Sequence, residues 1–126
     1  MDSIISSKEA ANYLFPFFDG LDHEEIWIII MRKYAPIKTI RISTGDDASV
    51  HIDKKAIAKE IILNDGDGVI LSHNHPSSNP TPSIADIMET NNLRKALVIL
   101  DLVLIDHLII TEKTYFSFAE ERIMKY

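Results

Sequence analysis

The stretch Ile26-Trp27-Ile28-Ile29-Ile30-Met31 is apolar at every position and rich in β-branched residues. A strand that alternates in and out of water would read apolar then polar, so this run predicts a strand covered on both of its faces. It is too short to cross a bilayer, which takes ~20 apolar residues. Pro36 through Ser43 reads as its hairpin partner, with the turn near Lys33 to Pro36.

Helical patterns surround this hairpin. Ser6 and Glu9 have the spacing of a capping box, and Ala10, Tyr13, Leu14 and Phe17 follow at helical intervals. They predict a first helix over 7–15, ended by Pro16 and Asp19-Gly20. Asp53 caps a second over 54–63, where Ala56, Ile57, Glu60 and Ile61 sit a turn apart, and Asn64-Asp65-Gly66 stops it. Gly68 to His73 reads as a core strand, Pro76 to Pro82 as a loop, and Ser83 as the cap of a third helix reaching about Val98. A strand pair around Leu102–Ile110 and Tyr115–Phe116, then a short terminal helix, complete the chain.

Helices interspersed with hairpin-connected strands predict an α+β fold, an α/β sandwich whose mixed, mostly antiparallel sheet is flanked by helices, and not a doubly wound parallel sheet. At 126 residues and 46% hydrophobic content, with no internal repeat or low-complexity linker, residues 1–126 are expected to form a single domain.

The 13 basic residues are outnumbered by 19 acidic ones, for a formal charge of −6. That balance disfavours nucleic-acid binding through a broad basic surface. There is no cysteine, so disulfides and thiolate metal sites are excluded and any metal must use nitrogen and oxygen ligands. The lack of cysteine fits a reducing cytoplasm, and Met1-Asp2-Ser3 lacks the features of a secretion signal, so a cytoplasmic location without membrane attachment is expected.

The chemically informative stretch is Ser72 to Asp86, which gathers two histidines, a serine and an aspartate where a strand passes into a helix. His73 and His75 are two residues apart on extended chain, so both imidazoles can face one ion, at roughly 2.0–2.1 Å per Zn–N bond. Asp86 stands on the first turn of the third helix beside Ser83 and would be the third ligand if the loop folds back. Three protein ligands leave a fourth tetrahedral position for water, the mark of a catalytic zinc. The parts also have plainer readings. Ser83-x-x-Asp86 is an ordinary helix start, with the acid near the positive end of the dipole, and His-x-His occurs by chance.

Taken together, His73-x-His75, seven residues, Ser83, two residues, Asp86 matches the JAMM motif of JAB/MPN-type metallopeptidases at every spacing. The fuller string His73-Asn74-His75-Pro76-Ser77, Pro80-Thr81-Pro82-Ser83 and Asp86 resembles the bacterial RadC branch. Ser49-Val50-His51 and Leu104 to Ile109 resemble its flanking segments, so the likeness covers about residues 7–120.

The resemblance implies a JAB/MPN-like, cytidine-deaminase-like fold and a zinc-dependent hydrolase of amide or isopeptide bonds, with His73, His75 and Asp86 as metal ligands. It also implies a catalytic glutamate at the start of the first core strand. Glu24 is the choice, with Glu25 as the alternative. Such a group takes a proton from water and passes it to the leaving amine. Ser83 would both cap its helix and donate to the developing oxyanion.

His23, His51 and His107 have no partner at ligand spacing and read as surface or satisfied core residues. Trp27, Phe15, Phe17, Phe18, Tyr115 and Phe116 read as core. The sequence departs from the family at Ser78-Asn79, where glycine and an acidic or amide residue are usual, and it starts almost directly at the peptidase-like segment, without the helix-hairpin-helix region that many RadC proteins carry. The expected partner is a protein or peptide substrate. A second reading is a DNA-repair or mobile-element accessory module with a structural or vestigial metal site, and a third is a non-catalytic interaction domain, which generally lacks the ligands present here.

Overall fold

The computed structural model describes residues 3, 4, 6–42 and 51–124. Its elements, in chain order, are α1 (Ser7–Phe18), β1 (Ile26–Arg32), β2 (Ala35–Ile42), α2 (Lys54–Leu63), β3 (Gly68–Asn74), α3 (Ile84–Ile99), β4 (Val103–Ile110) and β5 (Tyr115–Ser117). The five strands form one sheet in the order β2-β1-β3-β4-β5. Only β3 and β4 run parallel, joined by α3 as the crossover, and the other pairs are antiparallel. The mixed, mostly antiparallel α+β arrangement is therefore the one expected.

The uninterrupted apolar run of β1 has the physical consequence anticipated for it. Ile26, Ile28 and Ile30 pack with Val69, Leu71, Leu104 and Ile109 against Ile57 and Ile61 of α2 and Leu93 and Leu97 of α3. Ile29 and Met31 face the other way, with Ile70, Leu108 and Ile110, against Ala10, Ala11, Leu14 and Phe18 of α1. Each such aliphatic side chain contributes roughly 1.5–3 kcal/mol when fully buried.

Most boundaries lie close to those read from the sequence. Asp53 accepts from Ala56 N at 3.0 Å and opens α2 over the predicted span. The hairpin turns through Lys33 and Tyr34, both with left-handed φ (50 and 65), as a two-residue turn matched to strand twist requires. Its partner strand begins at Ala35, and Ser43, Ser49 and Val50 lie outside the described residues.

Two expectations fail. Pro16 does not end α1: the helix carries it internally and runs to Phe18. A proline forfeits one helical N–H, but Phe18 is buried and Phe17 packs between Tyr13 and Trp27, at ring distances of 5.4 and 4.9 Å, so tertiary packing prolongs the helix. The short terminal helix is replaced by turns over Phe118–Arg122. Glu121 N bonds to Ser117 O, but Arg122 takes φ 57 and Ile123 N returns to Phe118 O, closing the turn instead of extending it. No helix among the described residues is long and apolar enough to cross a membrane.

Candidate metal centre

The site forms where β3 leaves the sheet. Every residue of β3 is buried, and alternation places Val69, Leu71 and His73 on the face covered by α2 and α3. His75 lies one residue past the strand, yet its N–H still donates to Ile110 O at 3.0 Å, so the chain stays extended and its ring faces the same way as His73. The two Nε2 atoms are 3.2 Å apart.

The loop after Pro76 folds back and delivers the start of α3 to these rings. Asp86 Oδ1 lies 3.6 Å from His73 Nε2, and Oδ2 lies 3.5 Å from His75 Nε2. Ser83 and Asp86 form the reciprocal capping box: Asp86 N donates to Ser83 Oγ at 3.0 Å, and Ser83 N donates to Asp86 Oδ2 at 2.8 Å. The helix-start reading and the ligand reading of this pair are thus compatible, since one carboxylate both caps α3 and faces the histidines.

Glu24 approaches from the opposite side. Continuing the β1–β3 register, in which Ile26 opposes His73, sets it across from His75. One of its carboxylate oxygens and a ring nitrogen of each histidine all lie within 4.8 Å of one another. Glu25 is turned elsewhere. Its carboxylate accepts from Trp27 Nε1 at 3.0 Å and meets His23 Nε2 at 2.9 Å and Arg41 at 3.7 Å.

Electrostatics separates the two carboxylates near the histidines. Burial alone would raise Asp86, but hydrogen bonding from His75 and the Ser83 amide, together with the charge of His73, outweighs it and holds the carboxyl well below the usual range. Glu24 is raised, mainly by burial and also by the nearby Asp86, against the pull of His75. Burial pushes His73 down to about 4, against the opposing pull of Asp86. His75 is raised, chiefly by its bond to Asp86.

Two residues around the site lie in the segments that resemble the family but received no role from the sequence. Asn74, pointing away from the histidines, accepts from Glu25 N at 2.7 Å and donates to His23 O at 2.9 Å, so it clamps the chain on both sides of Glu24. His107 reads as an isolated histidine, and it is a satisfied core residue, but its contacts are with the site. Its Nε2 lies 2.7 Å from His73 Nδ1, its Nδ1 lies 2.6 Å from Thr90 Oγ1, and its ring stacks on Phe118. His23 and His51 are exposed, paired with Asp22 and Glu25 and with Glu89 respectively.

A cleft of about 510 Å³, lined by Phe15, Phe18, Asp19, Leu21, Ile110 and Glu112, reaches His75 but none of Glu24, His73, Ser83 and Asp86. An imidazole pair at a strand end, a carboxylate on the following helix and a second carboxylate across the mouth define the arrangement of a JAB-type domain. The chain belongs to the RadC-like JAB domain family, whose profile matches residues 4–123. It is 38% identical over 124 residues to the UPF0758 protein of Flavobacterium johnsoniae, covering 98% of this chain and 54% of that one. It is 34% identical over 125 residues to the UPF0758 protein of Porphyromonas gingivalis, covering 98% of this chain and 55% of that one. The chain thus spans about half the length of the curated relatives it matches.

Proposed function

We propose that this domain is a zinc-dependent hydrolase of amide or isopeptide bonds, with His73, His75 and Asp86 as metal ligands, Glu24 as general base and acid, and Ser83 as oxyanion donor. The observation that carries the reading is the convergence of these donor atoms. Tetrahedral zinc with bonds of roughly 2.0–2.1 Å sets its ligand atoms about 3.3 Å apart; the two imidazole Nε2 atoms are 3.2 Å apart, and the Asp86 carboxylate meets one of them with each oxygen, Oδ1 at 3.6 Å from His73 and Oδ2 at 3.5 Å from His75. The donor chemistry fits as well. His75 Nδ1 lies 3.1 Å from the Asn79 carbonyl, which can only accept, so a neutral His75 keeps the lone pair of Nε2 turned toward His73 and Asp86.

Bound there, zinc would supply Lewis acidity and bring the pKa of a water to about 7. Asp86, held ionised, suits a ligand. Glu24, whose carboxyl is raised chiefly by desolvation, suits a group that takes up and returns a proton. Ser83 Oγ is occupied as an acceptor by Asp86 N, which leaves its hydroxyl proton to donate to a substrate carbonyl oxygen. The cleft that reaches His75, where aromatic side chains meet Asp19, Thr111 and Glu112, has room for the residues flanking the scissile bond.

The deciding measurement is elemental analysis of untagged protein beside the double variant His73→Ala/His75→Ala. About one zinc per chain, lost in the variant, is expected, and no uptake when zinc is supplied refutes the metal site. Hydrolysis of a peptide and isopeptide library, followed by mass spectrometry, then tests the chemistry. Glu24→Gln should retain zinc and lose turnover by roughly 10²–10⁴-fold.

A further inference from the structure

The hydrogen bonds behind His73 run in one direction only. Thr90 Oγ1 lies 2.6 Å from the main-chain carbonyl of Asp86 and 2.6 Å from His107 Nδ1. A carbonyl oxygen only accepts, so the single hydroxyl proton of Thr90 points to Asp86. Thr90 Oγ1 must therefore accept from His107, whose Nδ1 carries a proton. His107 is 0% exposed and lies flat against Phe118, at a ring distance of 4.6 Å. A charged ring is costly in that setting, so His107 is neutral and its Nε2 keeps a lone pair. That lone pair faces His73 Nδ1 at 2.7 Å, and His73 must donate to it.

We propose that His107 and Thr90 are positioning residues that hold His73 in its Nδ1–H tautomer, leaving Nε2 unprotonated and aimed at the point shared with His75 and Asp86. The opposite polarity, with His107 donating from Nε2, would move the proton of His73 onto the very atom that faces Asp86. The chain of bonds also joins two of the three donors. It starts at the ring of His73 on β3 and ends on the backbone of Asp86 in α3, so the strand ligand and the helix ligand share one mechanical frame. Thr90 and His107 are fully buried and His73 nearly so, which shields these bonds from competition with water. The inference takes its purpose from the metal reading above, but the tautomer is a property of the metal-free chain.

Two measurements test it separately from that reading. Long-range ¹⁵N-correlated NMR of the metal-free protein, with imidazoles assigned through single variants, should show His73 and His107 each protonated at Nδ1 only. A proton on Nε2 of His107 overturns the proposal. Zinc affinity, measured by chelator competition with melting temperature read alongside, is then compared across variants. His107→Phe keeps the stacking on Phe118 but cannot accept, and Thr90→Val keeps volume but cannot bond; each should weaken zinc binding roughly 10–100-fold. His107→Gln, whose oxygen can accept from His73 and whose amide can donate to Thr90, should restore most of the loss. Equal losses in Gln and Phe would mean that His107 only fills space, which overturns the proposal. If His107→Phe fails to fold, Thr90→Val supports the same comparison. If the wild type takes up no zinc at all, the metal reading fails and the NMR tautomer alone decides this one.

Discussion

At the scale of single residues, the site depends on side chains whose partners are remote in sequence. His73, His75, Ser83 and Asp86 were legible because they lie within one short stretch whose spacing carries the geometry. Asn74 sits in the same stretch, but its role was not legible, because its two bonds reach across to the start of β1. Asn74→Ala should free the segment around Glu24. The expected result is unchanged zinc content with turnover lowered about 10²-fold, the cost of a small misplacement of the proposed general base. His73 yields a pH prediction for the metal-free protein. Its pKa is about 4 when folded against 6.5 for an ordinary histidine, so between these values the unfolded chain binds more protons and stability must rise with pH. Urea midpoints should climb from pH 4 to about 6.5, with His73 contributing up to on the order of 3 kcal/mol, and His73→Gln should reduce the climb to what His107, likewise lowered by burial, still supplies.

At the scale of elements, the strongly patterned segments were readable and the exceptions have physical causes. The caps at Asp53 and Ser83 announced α2 and α3 because a side-chain acceptor there satisfies a backbone N–H that the helix leaves orphaned. Pro16 misled because local propensity yields to the burial of Phe18 and the packing of Phe17 on Trp27. The terminal helix misled because Arg122 adopts a left-handed backbone, which its sequence does not announce. Ser83 belongs to this scale as well as to the site. Ser83→Ala should cost about 1 kcal/mol in thermal or urea unfolding through loss of the cap. Turnover should fall further, about 10²–10³-fold, through loss of the donor.

At the scale of the whole molecule, the site is a product of tertiary structure. Glu24 comes from the approach to β1, the histidines from β3 and its exit, and Asp86 from α3, and they meet only when β1 pairs with β3 and α3 lies across the sheet. The sequence could supply these residues, but the order of the strands was beyond it, because pairing across β3 and β4 leaves no local pattern. The unfolded chain has no such constellation, so zinc should stabilise the folded form almost alone. At a free concentration 100 times its Kd, zinc should add about 2.7 kcal/mol, seen as a higher melting temperature that EDTA reverses and that the His73→Ala/His75→Ala protein lacks.

The irregularity in the β3–β4 ladder has a consequence of its own. Val69 opposes Leu104, but Ile70 opposes Asp106, so Ile105 is a supernumerary residue in β4. It sets the parity of everything after it. Asp106 faces α1, where it accepts from Ser7 and Ser117, and His107 faces His73. Were Ile105 taken into a regular ladder, the two would exchange sides, with a carboxylate thrust behind the site and an imidazole beneath α1. Deleting Ile105 should do the reverse of what a deletion in a core strand usually does. It should leave the downstream register intact, with the hydrogen bond between His107 and His73 still detectable by NMR.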